Sequence, residues 1–180
     1  MNLKVNVNIG KLVSHKTTIA MLFIHFFLVP LSVSATDNNN FYAHVTKVID
    51  GDTVKILHRN KNITVRFWGI DTPEWDQPFA NNAKSYTKKI LKKKKVEIKP
   101  HYYDDYGRLV AQIFLNGENV NQQLVKEGYA WVHVYYCKEY ICKKWKKYQK
   151  KAKNDGLGLW GVGDNIPPWE WKRKGAGKRQ

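Results

Sequence analysis

From Phe41 onward, apolar and polar positions alternate with a period of two over short runs, which predicts a strand-rich chain. Phe41, Ala43 and Val45, then Val48 and Ile49, predict a first strand with an irregularity where the alternation slips. Asp50-Gly51-Asp52 is a turn signal. Val54 and Ile56 mark a second strand, Arg59-Asn60-Lys61-Asn62 a hairpin loop, and Ile63, Val65, Phe67 and Ile70 a third strand. Asp71-Thr72-Pro73-Glu74 breaks that strand. The period then lengthens: Ala83, Tyr86, Thr87, Ile90 and Leu91 share one face of a helix over about 79–91. Val96, Ile98 and Tyr102 predict a fourth strand, Asp104-Asp105-Tyr106-Gly107 a turn, and Leu109, Ala111, Ile113 and Leu115 a fifth strand. After a turn at Asn116-Gly117, a short helix over 120–126 is closed by Gly128, a left-handed cap. Residues 131–136 read as extended. A third helix over 141–154 carries Trp145, Tyr148 and Ala152 along one side and stops at Gly156. Residues 167–171, with Pro167 and Pro168, read as extended, and 172–180 as a flexible basic tail.

This order predicts an α+β fold, mainly β: a five-stranded OB-type barrel with three helices. The spacing alone also allows other small α+β folds. A chain of 180 residues supports one core, and 43% hydrophobic with 13% aromatic residues excludes a disordered chain. The folded domain is expected over 41–163, after a polar linker at 36–40 and before an extension at 164–180. Trp131, Trp145 and Trp160 read as core residues.

The first 35 residues form a targeting segment. Lys4, Lys11 and Lys16 have no acid to offset them, an apolar run follows from Ile19 to Val33, and Val33-Ser34-Ala35 offers small residues for signal peptidase. Cleavage after Ala35 is expected, giving a secreted or periplasmic protein with no stable membrane insertion. An uncleaved anchor is the alternative, but the run is short for a span and contains His25 and Pro30. An exported chain with two cysteines, Cys137 and Cys142, favours a disulfide. A zinc site with His133 would have only three ligands and no familiar spacing. Free thiols are the expectation for a cytosolic chain.

The net charge is +16, and removing the three lysines of the leader leaves +13. Such an excess points to a polyanionic partner, whether nucleic acid, an acidic membrane or a polysaccharide, although a basic protein need not have one. The acids are unevenly placed. Asp50, Asp52, Asp71, Glu74, Asp76, Asp104 and Asp105 are seven of the 15, all in turns or at strand ends. Each alone is a polar turn residue. Together, beside arginines, they suggest a bound divalent cation, and their oxygen donors suit Ca²⁺ or Mg²⁺. Arginine is rare beside lysine here, so Arg66 and Arg108, both on predicted strands, stand out as phosphate clamps. An ion pair with a nearby acid is the other reading of Arg66. In an ideal strand, Arg66 and Asp71 would face opposite ways, unless a bulge near Gly69 turns the chain.

Three segments together carry a family resemblance. Val48-Ile49-Asp50-Gly51-Asp52-Thr53, Arg66-Phe67-Trp68-Gly69-Ile70-Asp71-Thr72-Pro73-Glu74 and Asp105-Tyr106-Gly107-Arg108-Leu109-Val110-Ala111 resemble, in order, the three signatures of the thermonuclease (staphylococcal nuclease-like) family. No one segment is specific by itself. The resemblance covers roughly 41–161. It implies an OB-fold barrel with three helices and Ca²⁺-dependent hydrolysis of DNA and RNA that leaves 3′-phosphates. By position it makes Asp52, Asp71 and the Thr72 carbonyl the metal ligands, with Asp50 acting through water. Glu74 would activate the attacking water, and Arg66 and Arg108 would hold the phosphate. Tyr106 and Tyr136 would contact substrate. The chain departs from the family where Asp105 replaces a common lysine, where Val134 replaces one of two tyrosines, and in a short loop after Glu74. A catalytically silent OB module that binds nucleic acid is the alternative, but such a module is expected to lose carboxylates or arginines that are all present here. A membrane- or polysaccharide-binding protein would explain the charge but not the acid cluster. No oligomerisation motif occurs, so a monomer is expected.

Overall fold

The computed structural model describes residues 39–163 and 165–177, so the expected leader, its cleavage site and most of the linker lie outside the described residues. Strands β1 (Phe41–Val48), β2 (Thr53–His58) and β3 (Lys61–Phe67) form an antiparallel meander. β4 (Ile70–Asp71) and helix α1 (Ala80–Leu91) follow, then β5 (Lys95–Tyr103), β6 (Leu109–Leu115) and β7 (Glu118–Asn119). After these come α2 (Val120–Lys126), β8 (Trp131–Val132), α3 (Tyr140–Asn154), a 3-10 turn (Gly158–Gly161) and α4 (Pro168–Gly177).

β1 pairs with both β2 and β5, β5 pairs with β6, and β6 returns parallel to β3. That last pairing closes a five-stranded mixed barrel, the OB-type architecture expected from the sequence. Alternation fills it: Val45, Val54, Ile56, Val65, Phe67, Ile98 and Ile113 are buried in one cluster. The slip in the β1 pattern is a register shift between Val45 and Lys47, a bulge that bends the strand around the barrel.

Four expectations are corrected. The described residues hold four α-helices rather than three, because 168–177 is helical and not an extended piece followed by a loose tail. A Pro-Pro pair favours extended chain, but a proline is tolerated in the first turn of a helix. Here the Pro167 carbonyl accepts from the Glu170 and Trp171 amides at 2.9 and 3.0 Å. The third strand does not run through to Ile70. It stops at Phe67, Gly69 takes φ +74°, and Ile70–Asp71 pairs instead with β8 in a small second sheet. Residues 133–136 turn rather than extend, with the Cys137 amide donating to the His133 carbonyl. The hairpin loop shrinks to Arg59-Asn60, both at positive φ, with Lys61 and Asn62 inside β3.

Asn121 is fully buried and ties three elements together. Its amide nitrogen donates to the carbonyls of Trp68 and Ala111, and its oxygen accepts from the Ile113 amide. Asn121→Ala takes this partner from the Trp68 carbonyl and the Ile113 amide, while the Ala111 carbonyl still accepts from the Trp68 amide at 2.7 Å, so it is expected to cost about 3 kcal/mol, read as a lowered urea midpoint at unchanged slope.

Candidate active site

The barrel register gathers the candidate residues at one end. Arg66 pairs across to Thr53 on one side and Val110 on the other, which sets it beside Asp52 and near Arg108. The turn at Gly69 brings Asp71 back over Arg66. The five-residue offset, awkward for an ideal strand, becomes a direct contact: Arg66 Nη2 donates to Asp71 Oδ1 at 2.5 Å. Arg66 Nη1 lies 2.8 Å from Asp52 Oδ2. Asp52 Oδ2 also accepts from the Thr72 amide at 2.7 Å and its hydroxyl at 2.9 Å. Gly51 makes this approach possible, since a Cβ there would meet the Thr72 hydroxyl at 2.7 Å. Asp50 Oδ1 accepts from the Asp52 amide at 3.0 Å, so it supports Asp52 from behind.

Asp52 and Asp71 are each 4% exposed. Burial, added to by the charge of Asp52, raises Asp50 to about 7. Burial also raises Asp71 to about 7, against the pull of Arg66. Burial lowers the Arg66 pKa, but the surrounding carboxylates outweigh it and raise it overall. One guanidinium therefore faces three carboxylates, and the pocket is short of positive charge. A hard divalent cation would supply it, with Asp52, Asp71 and the Thr72 carbonyl as oxygen donors. Among the described residues no three His, Cys, Asp or Glu side chains converge as a ready ligand set, so water would complete the coordination.

The cleft over these residues, about 580 Å³, is lined also by Tyr102, Tyr106, Arg108, His133, Tyr136, Trp169 and Lys172. Arg108 is held by Asp104, whose Oδ2 takes its Nε at 2.8 Å while Oδ1 accepts the Arg108 and Tyr106 amides. Burial works against the Asp104 carboxylate, but those bonds prevail and hold its pKa below the ordinary value. Tyr106 is 85% exposed with its ring over the Arg108 guanidinium, and Tyr136 is 61% exposed beside His133. Glu74, on the loop after β4, stands behind the lining and joins it through Lys172, whose Nζ lies 2.8 Å from Glu74 Oε1. The aspartate that bonds Arg108 is thus Asp104 and not its neighbour Asp105. Cys137 and Cys142 are joined in a disulfide, so the zinc reading with His133 has no free thiolates.

The geometry agrees with what comparison of the sequence finds: residues 64–162 match the family model described as staphylococcal nuclease homologue. The chain belongs to the staphylococcal nuclease homologue family. Among its relatives, an uncharacterized endonuclease of Escherichia coli O157:H7 is 31% identical over 75% of this chain and 87% of its own. A micrococcal nuclease of Shigella flexneri is 30% identical over 88% of this chain and 95% of its own. A staphylococcal-like nuclease of Arabidopsis thaliana is 32% identical over 65% of this chain and 35% of its own.

Within this family frame, the residues that local sequence pattern does not single out are Asp104 as a clamp, His133 as a cleft residue, Trp169 and Lys172. Asp104 carries a signal, a carboxylate four residues before an arginine across a tight turn. The others meet the site only through the tertiary fold.

His133 is 8% exposed and packs its ring between Tyr136 and Trp169. Burial, then the positive charges of Arg66 and Lys172, lower its pKa to about 4. A histidine held neutral in the fold but titrating near 6.5 when unfolded destabilises the fold as pH falls from 6.5 through 4. Asp50 and Asp71 act oppositely in that window, because their raised values let the fold keep protons. Comparison with His133→Gln isolates the histidine. The wild type is expected to lose on the order of 3 kcal/mol more than the variant between pH 7 and pH 4, measured by chemical denaturation.

Proposed function

We propose that this chain is an exported, Ca²⁺-dependent nuclease that hydrolyses phosphodiester bonds of DNA and RNA and leaves 3′-phosphate ends. The observation that carries this reading is the pairing of a buried, charge-deficient carboxylate cluster with two arginines around one cleft, with a loop-borne glutamate joined to its wall through Lys172. Nuclease names among relatives that the chain covers almost end to end support the same reaction class.

Bound at Asp52, Asp71 and the Thr72 carbonyl, Ca²⁺ would polarise a phosphoryl oxygen and offset developing negative charge. The protein's own groups do the rest. Arg66 bridges Asp52 and Asp71 and is the guanidinium placed to exchange them for a phosphate. Arg108, aimed by Asp104, adds a second cation for the equatorial oxygens. Glu74, three residues beyond Asp71, takes the proton from the attacking water as its oxygen bonds to phosphorus. The bond from phosphorus to the 5′ oxygen breaks, that oxygen takes a proton from solvent water, Glu74 returns its proton to solvent, and the phosphate stays on the 3′ side. Tyr106 and Tyr136 offer exposed rings to flanking nucleotides, and stacking on such rings contributes about 1–3 kcal/mol per base. Among the described residues no helix is long and apolar enough to cross a membrane. The basic, apolar leader supports export of the domain to a secreted or periplasmic compartment, where we take it to act as a monomer.

Three measurements test the reading. Single-stranded DNA is expected to be cut with Ca²⁺ and left intact with chelator, with 3′-phosphate termini. Absence of cleavage under every metal condition contradicts the enzyme and leaves the silent binding module. Glu74→Gln is expected to keep DNA affinity within about twofold and lose at least about 10²-fold in turnover. Sequencing of exported protein is expected to begin at Thr36; an intact Met1 contradicts the leader.

A further inference from the structure

The loop that carries Glu74 is short and has little regular structure of its own. Five residues separate Glu74 from the first turn of α1. It is instead held from the far end of the chain. Gln77, 7% exposed, accepts from the Glu74 amide with its side-chain oxygen at 3.1 Å and donates from Nε2 to the Ile166 carbonyl at 2.5 Å. The Gln77 amide in turn donates to the Glu74 carbonyl at 2.8 Å. Trp171 Nε1 donates to Asp76 Oδ1 at 3.0 Å. Lys172 Nζ reaches the Glu74 carboxylate itself. Pro168 is buried and Trp169 packs on His133, so the segment is docked and not only tethered.

We propose that 166–172 is a buttress for the glutamate loop, with Gln77, Trp171 and Lys172 as positioning residues that set where the Glu74 carboxylate points. This rests on the nuclease reading. Two contacts fix the loop's main chain and side wall, at Gln77 and Asp76. The third, from Lys172, restrains the carboxylate that the reaction uses. Lysine on a four-carbon stem suits this role, because its head is a point charge that can follow a carboxylate over a small range without dictating a bidentate geometry. The lysine side chain is 60% exposed against 23% for Glu74, so it meets the carboxylate from its more open side. A glutamate on an unsupported loop would sample many rotamers, and misplacement of about 1 Å can cost as much as 10²-fold in rate.

The test uses the full chain with three substitutions. Trp171→Phe removes the indole N–H and keeps an aromatic ring, Lys172→Met removes the charge and keeps the length, and Lys172→Arg restores a cation. At saturating Ca²⁺, Lys172→Met is expected to lower kcat about tenfold with KM within about twofold, and Lys172→Arg to recover at least about half of it. Trp171→Phe is expected to lower kcat about threefold. A second readout needs no turnover: in metal-free protein, Trp171→Phe is expected to speed hydrogen exchange at the Glu74 and Gln77 amides about tenfold while the barrel strands keep their protection. Active wild type with unchanged variants overturns the buttress alone. A raised kcat in Lys172→Met overturns it in favour of a blocking contact, and a raised KM at constant kcat in favour of a phosphate contact. Inactive wild type overturns the nuclease reading instead, and unchanged amide exchange in Trp171→Phe then removes the buttress as well.

Discussion

Arg66 is the residue around which the rest of the site is assembled. Its two terminal nitrogens grip Asp52 from the turn between β1 and β2 and Asp71 from β4, so three separate chain segments meet at one guanidinium. Removing one partner of such a buried set leaves an uncompensated charge, at a cost of about 3–5 kcal/mol. Yet the grip does not balance the charge. Asp50, Asp52 and Asp71 outnumber Arg66, and burial within that imbalance lifts two of them to about 7. The cluster is held firmly enough to fold and is still short of positive charge, a combination expected of a cation site and costly in a purely structural one.

The barrel makes that cluster possible. Parallel closure of β3 on β6 puts Arg66 opposite Val110 and hence two residues from Arg108, while the antiparallel β2 puts it opposite Thr53. Gly69 then reverses the chain so that Asp71 and Thr72 return over the strand they came from. The side chain of Thr72 seats against Gly51, where no Cβ intervenes. Backbone geometry at two glycines thus decides whether the carboxylates converge. The C-terminal helix adds the fourth side, bringing Trp169 and Lys172 to the cleft and holding the loop that bears Glu74.

Much of this is legible in the sequence because it is local. Alternation marks β1 to β3, β5 and β6, the 3.6-residue period marks α1 to α3, and Gly128 and Gly156 mark helix ends, both at positive φ. The carboxylates and arginines stand out by clustering in turns of a basic chain. What escapes is set by tertiary contact. Gly69 marks where the chain can turn, but the strand that Ile70–Asp71 then pairs with, β8, lies in no window around residue 69. Helix α4 begins after two prolines, whose usual effect is to extend the chain, and is fixed by contacts 89 and 95 residues away in sequence, through Gln77 and Asp76. The clamp on Arg108 is hidden because two aspartates stand side by side, and only the turn geometry selects Asp104 over Asp105.

On the proposed function the Asp52–Arg66–Asp71 cluster receives a divalent cation. Calorimetric titration of metal-free protein with Ca²⁺ tests it most directly. One saturable site is expected, lost in Asp52→Asn and in Asp71→Asn but kept in Arg108→Gln, whose guanidinium is paired with Asp104 and not with the cluster. No saturable binding, or unchanged binding in Asp71→Asn, would contradict the account.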